Sequence, residues 1–243
     1  MRETEIDITI PNLEALQEND SKAIILCVDD EWLILRSLTQ QLKKNFGKEY
    51  AIEMADNPLN ALDLIKEYNQ EGLIVPLVIS DYMMPQMKGD DFLIKIQELS
   101  PNTKKIMLTG QADAEAVGNA VNKADLYRYL SKPWDIYDLI FTVKEGLHSF
   151  YMERSLEEKN KELKKALLFN KITQLPNEEF LIRKLHEAKD NPALKLALIK
   201  IETYSTTTRT FGLAIYQELL SKLIIILKNA CSKFVIPVKI GQS

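Results

Sequence analysis

The chain has 243 residues, 46% of them hydrophobic, so it can bury a proper core, and its length fits two modest domains. A formal net charge of −4 and a pI near 5.4 exclude a general basic field for gripping nucleic acid. The longest apolar runs fall well short of the roughly 20 residues a membrane helix needs, and the N-terminus has no basic-then-apolar signal, so the sequence predicts a cytoplasmic protein with no membrane partner.

After a polar leader (1–22), "AIILCVDDE" reads as a buried strand from Ala23 to Val28 that runs into acidic residues. "EWLILRSLTQQLKKNF" follows, with Leu33, Leu35, Leu38 and Leu42 near helical spacing and Lys43 and Lys44 near its end. The strand-then-helix pattern recurs in "YAIEMAD" with "NPLNALDLIKEY", "LVISD" with "GDDFLIKIQEL", "KKIMLTG" with "ADAEAVGNAVNKA", and "LYRYLSKPW" with "DIYDLIFTVKEGL". Short, mostly continuous apolar strands alternating with amphipathic helices predict a doubly wound α/β fold, a five-stranded parallel sheet covered on both faces. Cys27 and Cys231 lie in apolar segments without metal-ligand or disulfide spacing, and His148 and His186 are lone and far apart. A reducing compartment fits the cysteines, and packing or surface roles fit the histidines.

In such sheets ligands gather beyond the carboxyl ends of the strands. Asp29 and Asp30 close the first strand, Asp81 the third and Thr109 the fourth, while Lys132 lies just past the fifth. Read singly, Asp30 is a helix N-cap, Asp81 a turn former, Thr109 a strand-end hydroxyl and Lys132 a solvated charge. Read jointly, they predict one crevice in which three carboxylates repel each other. A hard divalent cation such as Mg²⁺, together with the Lys132 ammonium, relieves that repulsion.

These residues, as "VDDE", "SDYMMPQMKG", "MLTG" and "YRYLSKPW", resemble the receiver domain of two-component response regulators over Ala23 to Leu147. The resemblance implies a flavodoxin-like fold in which Asp81 takes a phosphoryl group from a sensor histidine kinase or phosphotransfer protein. It implies Mg²⁺ held by Asp30, Asp81 and the backbone carbonyl of Met83, with Asp29 acting through water, and phosphoryl oxygens contacted by Thr109 and Lys132. It further implies a cis Lys132–Pro133 bond and a switch in which Tyr129 turns inward as the Thr109 hydroxyl moves; a half-exposed strand tyrosine is the alternative for Tyr129. Met83 and Gln111 occupy positions that tune dephosphorylation in relatives, and neither offers a carboxylate to orient water, so the phosphoryl state is expected to be long-lived.

The last receiver helix is expected to continue past Leu147. "HSFYMERSLEEKNKELKKALLFNK" carries no Pro or Gly and places Leu156, Asn160, Leu163, Leu167 and Asn170 at 4-3-4-3 spacing. That pattern predicts a signalling helix over 148–170 with a short coiled-coil seam, hence a homodimer, against the alternative of a single solvated linker helix.

Beyond it, "NKITQLPNEEFLIRKLHEA" and "LALIKIETYSTTTRTFGLAIYQELLSKLIIIL" resemble the opening of a GGDEF (diguanylate cyclase) domain, implying a partial α+β module over 171–243 laid out as strand, loop and helix. In the family's register Lys200 stands where the metal-binding Asp is usual and Glu202 where the second Asp is usual, while Thr208 and Gln217 replace usual guanine contacts. At the motif itself Gly241 is kept, while Gln242 and Ser243 replace a glycine and an acid. An ammonium repels Mg²⁺ and Gln obstructs close backbone approach, so the module is expected to be degenerate, to be cut short at "VKIGQS", and to make no cyclic di-GMP by itself. Three readings compete: a phosphorylation-controlled switch, a receiver-regulated diguanylate cyclase, and a dimerisation scaffold that is not phosphorylated. The acidic pocket favours the first.

Overall fold

The computed structural model describes residues 23–110, 122–171, 173–187, 204–230 and 238. The leader, Gln111, and most of the helix expected over "ADAEAVGNAVNKA" lie outside the described residues. The chain divides into two compact units, Met1–Ser155 and Leu156–Ser243.

In the first unit β1 (Ala23–Val28), β2 (Tyr50–Ala55), β3 (Leu77–Asp81), β4 (Lys104–Thr109) and β5 (Arg128–Ser131) form one parallel sheet in the order β2-β1-β3-β4-β5. Ile25 pairs with Ile52 on one side and with Leu77 on the other, so the chain winds both ways from β1. This is the expected doubly wound arrangement. Its topological switch lies between β1 and β3, which opens a crevice at their carboxyl ends.

Helices α1 (Trp32–Phe46) and α4 (Ile136–Leu168) cover one face, where Leu35, Leu38, Leu42, Leu139 and Val143 pack on Ile25, Ile79 and Leu108. Helices α2 (Pro58–Glu71) and α3 (Gly89–Leu99) cover the other, with Ile65, Phe92 and Ile96 against Leu26, Val78 and Met107. Each such side chain, fully buried, contributes about 1.5–3 kcal/mol relative to exposure. Local signals set the helix limits. The Asn57 side chain accepts from the Asn60 N–H at 2.8 Å, Pro58 opens α2, and Gly72 ends it at φ 74°.

Three expectations need correction here. Leu33 does not join the buried stripe of α1 but stands 79% exposed, because it lies two residues, about 200° of helical turn, from Leu35. The fifth strand is no buried apolar run: β5 is an edge strand whose only partly buried residue is Leu130. Helix α4 is continuous from Ile136 but ends at Leu168, so Asn170 is not on it. The Asn170 side chain instead accepts from the N–H and hydroxyl of Thr173, at 3.0 and 3.1 Å, because an Asx-type turn offers its oxygen two local donors.

In the second unit the turn after α4 is closed by a bridge between Phe169 and Pro176, and α5 (Glu178–Glu187) follows. Asn177 serves both helices: its Nδ2 donates to the Leu167 carbonyl at 2.8 Å and its Oδ1 accepts from the Phe180 N–H at 3.1 Å. Helix α6 (Tyr204–Ala230) already begins at Tyr204, where strand and loop were expected, and it breaks at Gly212, whose φ of 82° and ψ of 167° are not helical. Lys200, Glu202, Gly241, Gln242 and Ser243 lie outside the described residues; Thr208 and Gln217 are on α6. Among the described residues no helix is long and apolar enough to cross a membrane.

Candidate functional site

The sheet brings the expected carboxylates together. Ligand oxygens of Asp29, Asp30 and Asp81 lie within 4.8 Å of one another. Asp29 and Asp81 are buried at the ends of β1 and β3, whereas Asp30 is exposed at the start of the β1–α1 loop. Lys132, which follows β5, places its Nζ 2.7 Å from Asp29 Oδ2 and 2.6 Å from Asp81 Oδ1. The backbone holds that lysine in place, since the Lys132 N–H donates to the Thr109 carbonyl at 2.7 Å. The Lys132–Pro133 peptide bond is cis, as the resemblance implied.

Both carboxylate oxygens of Asp29 and both of Asp81 have a donor. Asp29 Oδ1 accepts from the Glu31 N–H at 2.8 Å and Asp81 Oδ2 accepts from the Met83 N–H at 2.9 Å. Burial raises the Asp29 carboxyl above its usual range, opposed by the hydrogen bonds from Lys132 and the Glu31 amide and by the Lys132 charge, while the Asp81 charge adds to the rise. Burial acts against the Lys132 charge, yet the hydrogen bonds and charges of Asp29 and Asp81 outweigh it and hold the ammonium above its usual value. Lys132 therefore stays charged at neutral pH.

Thr109 is buried at the end of β4, opposite Ser131 of β5. Tyr129, two residues earlier on β5, is 47% exposed and pairs with Met107. The Met83 side chain is 67% exposed, so only its backbone is turned to Asp81.

The donor set fits a hard divalent cation. It is all oxygen, it concentrates three carboxylates against one ammonium, and each carboxylate oxygen keeps a second lone pair. Sequence reasoning missed one residue that shapes this site. Gly89 packs so closely on the β3–α3 turn that an added Cβ would stand 2.2 Å from the Asp81 carbonyl oxygen and 2.8 Å from the Tyr82 Cα. The glycine of "SDYMMPQMKG" was the available signal: a glycine at a helix start near a strand end marks close backbone approach.

Residues 25–144 match the family model of the response regulator receiver domain. The chain is 34% identical, with a TM-score of 0.50, to the signal receiver domain of an HD domain-containing protein from Pseudomonas fluorescens, covering 56% of this chain and 95% of that one. It is 28% identical, again with a TM-score of 0.50, to a solved chain described as adenylate cyclase from Rhodopirellula baltica, covering 58% and 98%. Over 133 residues it is 30% identical to the hydrogenase transcriptional regulatory protein HoxA of Bradyrhizobium diazoefficiens, 55% of this chain and 26% of that protein. The chain thus spans about a quarter of that curated relative's length. Sheet order, acidic crevice and sequence match coincide on one stretch, and through residues 25–144 the chain belongs to the response regulator receiver domain family.

Proposed function

We propose that this chain is a two-component response regulator in which Asp81 accepts a phosphoryl group from the phosphohistidine of a sensor histidine kinase or phosphotransfer protein. The observation that carries the reading is the Lys132 ammonium held between Asp29 and Asp81, beside the Thr109 strand end. An Asp81 oxygen forms the new bond to phosphorus as the phosphorus–nitrogen bond breaks, and the imidazole keeps the bonding electrons and takes up a proton. Lys132 and the Thr109 hydroxyl receive the phosphoryl oxygens, and the Met83 N–H orients the nucleophile. Asp30, Asp81 and the Met83 carbonyl would hold Mg²⁺, with Asp29 acting through water. When bound, that ion offsets the charge on the carboxylates and on the transferring group.

In this reading Thr109 and Tyr129 form the switch, and the half-exposed Tyr129 ring has a solvent side from which to turn inward. Helix α4 carries the change to a partial GGDEF-like output that makes no cyclic di-GMP by itself. Leu156, Asn160, Leu163 and Leu167 of α4, the three leucines exposed, supply the seam of a homodimer, now without Asn170. The protein acts in the cytoplasm alongside its phosphodonor.

The test is intact-protein mass together with native molar mass for the wild type and Asp81→Asn, incubated with Mg²⁺ and acetyl phosphate. A phosphoryl adduct on the wild type and none on the variant is the expected result. Adduct on both would move the acceptor away from Asp81.

A further inference from the structure

We propose that the groove between α1 and α2, walled by Trp32 and Leu64 and rimmed by Asp56, Asp63 and Glu67, docks a basic amphipathic helix of a partner protein. The groove encloses about 460 Å³ and is floored by Leu35, Met54 and Ala55. Trp32 is 58% exposed at its edge, whereas Leu35, Leu38, Leu42 and Phe46 of the same helix are buried. A large aromatic left half in water beside an apolar floor is the anchor type that dominates protein interfaces.

The occupant's charge follows from the rim. From Tyr50 to Glu71 the chain carries Glu53, Asp56, Asp63, Glu67 and Glu71 against Lys66 alone, and Lys66 already pairs with Asp63 at 2.8 Å. Burial first, and then the charges of Glu53, Glu67 and Glu71, raise the Tyr68 hydroxyl, so the negative field runs along the helix beyond the groove. Asp63, Glu67 and Glu71 stand at i, i+4 and i+8, one turn apart on one face. Like charges at that spacing weaken the helix that bears them. Lys or Arg at the same spacing on a facing helix relieves the repulsion, and an apolar side chain between them fits against Trp32.

The groove adjoins the acidic crevice. Ala55 on its floor accepts from the Asp29 N–H at 3.3 Å, and Trp32 follows Asp30 by two residues. The inference does not depend on phosphoryl transfer, because binding is read without a phosphodonor.

The test is titration of the nitrogen-15-labelled full chain with a synthetic Lys/Leu amphipathic helix of about four turns, ~14 residues. The Trp32 and Trp134 indole N–H signals are followed separately. The expected result is a saturable shift at Trp32 and none at Trp134, with affinity lost at high salt. Charge reversal at two exposed rim positions, Asp63→Lys with Glu67→Lys, should weaken binding about tenfold while leaving the rest of the spectrum unchanged. No shift at Trp32, equal shifts at both indoles, or undiminished affinity after charge reversal would each overturn the proposal.

Discussion

At the carboxyl end of the sheet Lys132 lies between two carboxylates, whereas at the amino end Lys105 gives its ammonium to the neutral amide of Gln97 and to the Thr103 carbonyl, the latter at 2.8 Å. Both lysines are withdrawn from water, and they titrate in opposite directions. Lys132 is held above its usual value; Lys105 is lowered by burial to about 8, with Lys104 pushing the same way and Asp125 pulling back. A lysine flanked by carboxylates keeps its charge for use on an anion, while one flanked by neutral dipoles is a structural burden. The neighbouring Lys104 shows the intermediate case, paired with Glu153 of α4 at 2.6 Å.

The largest break in this contrast comes from Gly89→Ala. Its Cβ would collide with backbone atoms of Asp81 and Tyr82, not with a side chain that can move aside. We expect a loss of roughly 4 kcal/mol in urea unfolding, since backbone collisions sit at the top of the single-substitution range. Lys132→Met comes next. It leaves Asp29 and Asp81 without their ammonium, and unfolding at neutral pH should register a loss of about 3 kcal/mol, partly restored by Mg²⁺ or by acid.

Lys105→Met should act with the opposite sign. A fall from 10.5 to about 8 corresponds to a penalty of roughly 3 kcal/mol while the buried amine is charged. Allowing for the hydrogen bonds lost, the substitution should stabilise by about 1–2 kcal/mol near neutral pH, checked by thermal melts. The unfolded chain binds more protons than the folded one between pH 8 and 10.5, so wild-type stability gains on the variant across that window and the penalty is complete below it. Lys132 reverses the sign: with its folded value raised, its contribution is complete below pH 10.5 and is lost as pH climbs through the folded value. The smallest effect belongs to Glu153→Gln. Its side chain is 55% exposed, so solvent screens the Lys104 pair and the loss in the same unfolding assay should be near 0.5 kcal/mol.

The contrast also separates what sequence could reveal. Asp29, Asp30, Asp81, Thr109 and Lys132 were legible because strand ends of a doubly wound sheet point to one crevice, and the alternation of strand and helix fixes which ends those are. Lys104 and Lys105 were not, since nothing in "KKIMLTG" distinguishes a solvated strand start from a buried one. Glu153 of α4 meets Lys104 and Gln97 of α3 meets Lys105, and both contacts depend on how the helices pack on the sheet. Asn170 was misplaced for a local reason. Heptad spacing extends past a helix end unless turn chemistry stops it, and the stop lies in the Asn170–Thr173 hydrogen bonds.

The Asn177 side-chain amide adds a two-ended tie at the junction of α4 and α5, beside the Phe169–Pro176 bridge and the residue's own backbone N–H on the Leu168 carbonyl at 2.9 Å. Its nitrogen end must give a proton and its oxygen end must take one, so no other small side chain does both: aspartate keeps the acceptor but has no donor, and serine is too short to span the two backbones. Hydrolysis of that amide, the ordinary ageing reaction of asparagine, would therefore cut the tie to Leu167 while leaving the α5 cap intact. The backbone bond from Asn177 to Leu168 would remain, so the joint would loosen on one side without opening.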